Sequence, residues 1–220
     1  RVEKPVRNAY MLSTALGLYH PFLNGEPVGD DEMAPGWASY GNRILYQTYE
    51  VTDLLVRGEN VLGAHLGAGW YKGTIGLAKG KNNYGTETAF SAQILIRYQD
   101  GTEDTVVTDE SFRGCDSPVL FSEIYDGEIY DARKEQPGWN KAGFDDASWI
   151  PAHTVEQSRK VLVPQGGCKV RELIAVPAKE IIITPEGDTV LDFGQNMTGW
   201  VHVKVDGEEG QEMTLNHFEV

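Results

Sequence analysis

Four carboxylates crowd into one short stretch, Glu123, Asp126, Glu128 and Asp131 in "SEIYDGEIYDAR". A general acid and a general base of this kind are what glycoside hydrolysis needs. A charge run carries no proton-transfer geometry by itself, so the stretch reads as a solvated or domain-packing loop in which Asp131 pairs with Arg133 and Tyr125 and Tyr130 pack. A second candidate, "LDFGQNMTGW" at 191–200, places Gln195 and Asn196 between Gly194 and Gly199 and closes on Trp200. Its two amides could read a sugar, or bond backbone where one strand crosses to the next. The third candidate is aromatic. Trp37 in "APGWASYGNR" and Trp70 with Tyr71 in "LGAGWYKG" each follow Gly in a loop at a strand end, where a ring face is free to stack on a sugar. Tyr40 completes that contact set. His20, His65, His153, His202 and His217 form no HxH or HxxxH pair, which argues against a metalloenzyme.

Composition narrows the partners. The 220 residues carry 33 Asp and Glu against 19 Lys and Arg, a net charge of −14 that repels a phosphate backbone. Nucleic acid is therefore excluded as an expected partner. No apolar run approaches the roughly 20 residues that span a bilayer, so a membrane is not expected either. Cys115 and Cys168 are far apart and outside any CxxC, which supports neither a disulfide framework nor a zinc site. Arg1 opens mid-pattern without Met, leaving room for an upstream segment. The compartment is not legible, and a bacterial cytoplasmic setting is expected ahead of a secreted or periplasmic one.

The elements that must position these residues are strands. Gly and Pro punctuate short β-rich runs, and no apolar stripe at helical spacing is long enough for a helix. An all-β chain follows. Asn24-Gly25 and Asp100-Gly101 mark hairpins, because both dipeptides accept positive φ. Ile94, Ile96 and Tyr98 share one face of a half-buried strand, with Leu95 and Arg97 on the other. Pro21 predicts an edge strand or a bulge. Residues 44–67 read as strand, short turn and strand, with "RGEN" as the turn. The stretches 81–90 and 109–140 read as long irregular loops. Just beyond the latter, in the stretch bracketed by Trp139 and Trp149, Asp145 and Asp146 suit a turn or helix N-cap, while Phe144 and Trp149 suit the core. Strand patterning gives way across 151–178. Four runs then follow, "KEIIIT", "TVLDFG", "WVHVKVDG" and "EMTLNHFEV", with Val201, Val203 and Val205 on one face, and they read as the opening of a further β domain.

"GLYHPFLNGEPVGDDEMAPGWASYGNRILYQTYEVTDLLVRGENVLGAHLGAGWYKG", then "YDGEIYDARKEQPGWN", "FDDASW" and "DFGQNMTGWVHVKV" together resemble the N-terminal β domains of bacterial α-L-rhamnosidases of glycoside hydrolase family 78. The resemblance implies a galactose-binding-like jelly-roll β-sandwich over 1–175, followed by the first strands of a second, truncated β-sandwich over 176–220. In that family an (α/α)6 barrel follows and holds the catalytic carboxylates that release terminal L-rhamnose with inversion. No residue here corresponds to either carboxylate. The resemblance thus implies an accessory region, inactive alone, whose partners are its own downstream catalytic domain and rhamnose-containing glycans or glycosides. The alternative is an independent L-rhamnose-binding module. Some members bind rhamnose through calcium, for which Asn82 and Asn83, with Asn42 and Asp30 or Asp31, are the oxygen donors to consider. The family often has Asp where this chain has Ser39 and Ala68. Asp192, Gln195, Asn196 and Trp200 are expected at a domain interface.

Overall fold

The computed structural model describes residues 1–76 and 79–218, and Glu219 and Val220 at the end of the last expected run lie outside the described residues. The chain divides into two units, Arg1–Arg171 and Glu172–Val220. In chain order the strands are β1 (Val6–Leu16), β2 (Leu18–Leu23), β3 (Glu26–Pro27), β4 (Ile44–Glu50), β5 (Leu62–Gly67), β6 (Ala89–Tyr98), β7 (Glu103–Val107), β8 (Arg113–Gly114), β9 (Val119–Glu123), β10 (Gly127–Tyr130), β11 (Ile150–Pro151), β12 (Leu162–Pro164), β13 (Glu180–Ile183) and β14 (Thr189–Asp192). A single turn of α-helix, α1 (Gly69–Lys72), and three 3-10 turns complete the set. The chain is all-β.

In the first unit a five-stranded sheet, ordered β12-β4-β1-β6-β7, faces a three-stranded one, ordered β3-β2-β5. Period-2 alternation decides which side of the large sheet is dry. Ala9, Met11, Ser13 and Ala15 of β1 are buried, as are Ala92, Ile94, Ile96 and Tyr98 of β6. Leu95, between two of these, is 40% exposed. Leu23 and Val28 from the small-sheet side join Met11, Tyr49 and Ile94 in one apolar cluster, which makes the pair of sheets a β-sandwich.

Both hairpin dipeptides form the turns their residue types favour. Asn24 and Gly25 take φ of 57° and 90°, and Gly101 takes 84°. The Asn24 side chain also serves the chain's return. Its Oδ1 accepts from Val61 N at 2.9 Å and its Nδ2 donates to the Leu54 carbonyl at 2.8 Å. Residues 51–61 therefore pass from one sheet to the other, since β4 pairs with β1 whereas β5 pairs with β2. The short turn expected at "RGEN" is part of that longer crossing.

Several expectations need correction. Pro21 lies on the central strand of its sheet, paired with Ala64, and not on an edge or at a bulge. In an antiparallel ladder a residue's N and O point to the same side, and Pro21's face the side where β3 has ended. Its carbonyl accepts from Val28 N at 2.9 Å, and the absent N–H breaks no bond within the β2–β3 pair. The 109–140 stretch is not irregular throughout, because β9 and β10 form a hairpin within it. Its charged residues and a register shift at Ile129/Tyr130 hide the alternation. Phe144 and Trp149 are only half-buried, and they pack edge to face as part of a surface aromatic group with Trp139. Ala147 N donates to the Asp145 carboxylate, and Trp149 N to the Asp146 carbonyl, so both acids serve turns.

The 151–178 stretch contributes β12, parallel to β4 at the edge of the large sheet. Beyond it the chain straps back. Glu32 bridges Val170, and Lys169 Nζ lies 2.6 Å from the buried Asp31 carboxylate. In the second unit β13 and β14 form a hairpin, but the runs at 200–207 and 212–218 form no strand among the described residues. Alternation makes a sheet only where a partner strand supplies the ladder. Both Cys115 and Cys168 are free and exposed.

Between the sheets lies a buried polar group. The Tyr19 hydroxyl donates to Gln47 Oε1 at 2.6 Å and contacts Ser13 Oγ at 3.0 Å. Having spent its one proton on Gln47, Tyr19 must accept from Ser13. Gln47 Nε2 donates to the Pro35 carbonyl at 3.2 Å and to Gln165 Oε1 at 2.8 Å. Burial pushes the Tyr19 phenol up from 10.0 to about 12, and it raises the neighbouring Tyr49 phenol as well.

Two outcomes test this arrangement. Ile94→Ala should lower the unfolding free energy by about 2–4 kcal/mol, against well under about 1 kcal/mol for Leu95→Ala on the wet face, measured by chemical denaturation. Because the folded pKa of Tyr19 is raised, the folded state holds its proton where the unfolded chain loses it. Stability present in full below pH 10 should fall progressively toward pH 12, read as a declining urea midpoint across that window.

Candidate functional site

The aromatic candidates come together from three separate loops. Trp37, Ala38 and Ser39 belong to the loop before β4, Trp70 and Tyr71 to α1, and Tyr84 to the loop before β6. The indoles of Trp37 and Trp70 lie nearly parallel, at 4° with centroids 6.1 Å apart. Behind them Tyr40 meets Tyr71 edge to face at 5.1 Å and Tyr84 at 5.0 Å. Trp37, Ala38, Ser39 and Tyr84 line an open depression of about 330 Å³.

Two glycines hold α1 in place. Gly69 has φ of +51°, and a Cβ there would stand 2.5 Å from Leu18 Cγ. Gly85 passes so close to the Tyr71 ring that any side chain would collide with it. With Leu16 and Ile44 beneath, Tyr40 and Tyr71 are core residues. Tyr40 is 2% exposed, and its hydroxyl donates to the Gly36 carbonyl at 3.2 Å. Burial lifts its phenol to about 12, with Tyr84 and Tyr71 adding to the effect. Tyr71 is raised by burial and by the charge of Glu87.

The four expected contact residues thus separate into two layers. Tyr40 and Tyr71 have no ring face open to a ligand and act as the floor under the indoles. Trp37 is 53% exposed, and Trp70 is half-buried beside it. Tyr84, within a stretch whose composition is that of a polar loop, stands at the rim. A single aromatic amid "KNNYGTETAF" was its only signal.

The two aspartates considered for calcium are ion-paired, while the asparagines bond through N–H groups and not through the side-chain oxygens a cation would need. Asn83 Nδ2 donates to the Gly80 carbonyl at 2.8 Å, Asn42 Nδ2 donates to Ser39 Oγ at 3.0 Å, and Asn82 takes a φ of 56° with its amide N–H on the Lys72 carbonyl. Asp31 pairs with Lys169, and Asp30 with Arg171 at 3.1 Å. Calcium takes six to eight oxygens. Asn82 and Asn83 supply two side-chain oxygens, and among the described residues no three His, Cys, Asp or Glu side chains gather. Asn82 and Asn83 by themselves fall well short of a calcium cage.

The acidic run is structural in its contacts. Glu123 accepts from Thr74 N at 2.7 Å with Lys81 at 3.8 Å, and Asp126 pairs with Lys79 at 3.0 Å. Asp131 is held by two bonds from Arg133, at 2.8 and 2.9 Å. Lys79 and Arg133 respectively hold Asp126 and Asp131 below the usual carboxylate range, the opposite of what a general acid requires.

In the second unit Asp192 ends β14 and its carboxylate accepts from Gly194 N at 2.6 Å, with Gly194 at φ 75°. Gln195 and Asn196 are exposed, with no side-chain hydrogen bond among the described residues, and Trp200 is exposed.

The family model of the α-L-rhamnosidase N-terminal domain matches residues 4–173. The chain belongs to this family. The α-L-rhamnosidase match continues over 182–220 with the bacterial α-L-rhamnosidase concanavalin-like domain, so the region corresponds to the N-terminal part of a family 78 rhamnosidase. The α-L-rhamnosidase of Streptomyces avermitilis is 39% identical over 219 residues, which are 99% of this chain and 21% of that protein. One from Formosa agariphila is 34% identical over 100% of this chain and 24% of its own length. Among solved structures, native α-L-rhamnosidase from Aspergillus terreus superposes with a TM-score of 0.87 at 40% identity, covering 89% of this chain and 23% of that one. The Streptomyces avermitilis enzyme, solved in complex with L-rhamnose, gives 0.86 at 39% identity over 90% and 19%. The chain spans less than a quarter of the curated relatives' length.

The layering predicts a split between stability and surface effects. Tyr40→Ala should cost about 3 kcal/mol in chemical denaturation, as removal of a buried ring does, whereas Trp37→Ala should cost about 1 kcal/mol or less.

Proposed function

We propose that this chain is the non-catalytic accessory region of an α-L-rhamnosidase that hydrolyses terminal α-L-rhamnosides. The first sandwich supports the catalytic barrel and presents Trp37 and Trp70 to carbohydrate. The observation that carries the reading is the match to the rhamnosidase N-terminal domain over 4–173, in a chain covering about a fifth of relatives that are themselves rhamnosidases. No carboxylate of the acidic run is arranged for acid–base chemistry, which is consistent with catalysis residing elsewhere. The exposed Trp37 indole, the half-buried Trp70 beside it and the rim tyrosine favour a carbohydrate contact, since an apolar ring face stacks on the C–H face of a pyranose. Half-buried Asp192 and the exposed Gln195, Asn196 and Trp200 of the second unit are proposed to meet a neighbouring domain.

The same indole pair favours one second reading, an independent carbohydrate-binding module. The two separate in one set of measurements. This chain alone should leave a chromogenic α-L-rhamnoside intact, while the longer protein should cleave it. Calorimetry with L-rhamnose should give weak binding to this chain, lost in Trp37→Ala and indifferent to added calcium. Turnover by this chain alone would overturn the accessory reading, and silence toward the sugar would remove the carbohydrate contact from both readings.

A further inference from the structure

The β9–β10 hairpin stands apart from the sandwich as a two-stranded sheet of its own. Two strands alone are marginal in water and need a packed face. Polar contacts secure one side. Besides Glu123 on Thr74 N, the Thr74 hydroxyl donates to Asp126 at 3.3 Å and Lys81 lies over the Phe121 ring at 5.7 Å. Apolar side chains also stand uncovered on both faces. Val119, Leu120, Ile124, Tyr125, Ile129 and Tyr130 are all exposed, Tyr125 by 60% and Ile129 by 58%. Ile129 pairs with Phe121 while Leu120 lies on the opposite face, and so much exposed apolar area on a two-stranded element marks an interaction surface.

We propose that the β9–β10 hairpin is the docking element by which the first unit seats on the catalytic portion of a longer rhamnosidase chain. The inference rests on the accessory reading above and names the surface that reading lacks. The length of the relatives argues for this occupant, because more than three-quarters of each lies outside the region this chain matches. Charge sharpens its chemistry. The hairpin carries exposed Glu128 on a chain of net charge −14, so the receiving surface is an apolar groove with a Lys- or Arg-rich rim. The anchoring side adds a consequence. Thr74 follows α1 by two residues, and Gly73 approaches Glu123 so closely that a Cβ would sit 2.5 Å from its Oε2. The hairpin is therefore joined through Gly73 and Thr74 to the helix that carries Trp70, and seating it fixes one indole relative to the catalytic portion.

Hydrogen exchange on the longer chain and on this chain tests the proposal. Amides of 119–130 should exchange about tenfold or more slowly in the longer chain, and Leu120→Asp with Ile129→Asp should abolish the difference. Tyr125→Ser at the hairpin tip provides a milder variant should the double substitution unfold the chain. Equal exchange in the two proteins overturns the docking proposal. Protection already present in this chain that grows with concentration alongside a sedimenting dimer also overturns it, assigning the patch to a second copy. A longer chain that cleaves a rhamnoside with an unprotected hairpin sinks the docking proposal alone. One that protects the hairpin but cleaves no rhamnoside sinks the functional reading alone.

Discussion

Gln47 is buried between the two sheets, and its amide must find partners for one oxygen and two N–H groups without help from bulk solvent. Those partners come from three other parts of the first unit. Tyr19 reaches across from the small sheet, Pro35 offers a carbonyl from the loop before β4, and Gln165 arrives from the strap that follows β12. An unmet buried amide group costs about 1–3 kcal/mol, so a change in any one of these segments would propagate to the others. The apolar cluster drives the sheets together, but burial of area is non-directional. The polar group selects one register for loops that carry no ladder of their own.

This constraint reaches the candidate site directly. Pro35 is two residues before Trp37, so the bond to Gln47 fixes the loop that presents the exposed indole. On the same loop Asp31 is buried against Lys169, whose ammonium also lies 5.3 Å from the Tyr49 ring. The strap thus holds the loop directly through Lys169, Val170 and Arg171, and through Gln165 by way of Gln47. The opposite indole is set by different means, with α1 wedged over Leu18 by Gly69 and floored by the Tyr40–Tyr71 contact. A surface pair of tryptophans is therefore built on rigid supports, the condition under which an exposed aromatic can recognise a ligand without a large ordering cost.

Local physics made part of this legible in the sequence. Alternation in β6 named its buried face residue by residue, and Asn24-Gly25 and Asp100-Gly101 named their turns, because side-chain period and positive φ are properties of the segment alone. Pairing is not. That β4 and β5 lie in different sheets, that β12 runs parallel to β4, and that Pro21 is central all depend on residues far away in the chain. The site shows the same division. Gly-Trp in two loops signalled exposed indoles, and Trp37 is exposed. Tyr40 and Tyr71 carry the same local signal, but Leu16 and Ile44 bury them, and no adjacent residue announces that contact. Ser39 and Ala68, where the resemblance leads one to expect Asp, were visible in the sequence.

The rings themselves bear on how a carbohydrate contact could work at all. A contact made by the rings alone would rest on stacking and a few hydrogen bonds at the rim, and contacts of that kind total only a few kcal/mol. About 4 kcal/mol corresponds to a Kd of roughly 1 mM, too weak to retain a free ligand. Within a single chain the requirement changes. A site linked to a catalytic domain meets the other end of a bound substrate at an effective concentration of about millimolar order, so a millimolar contact is half-occupied once the reacting end is held. Rigidity then matters more than affinity, because a flexible connection would dilute that effective concentration. On the proposed reading, the hairpin that anchors Gly73 and Thr74, and with them α1, would govern a sugar contact as much as either indole.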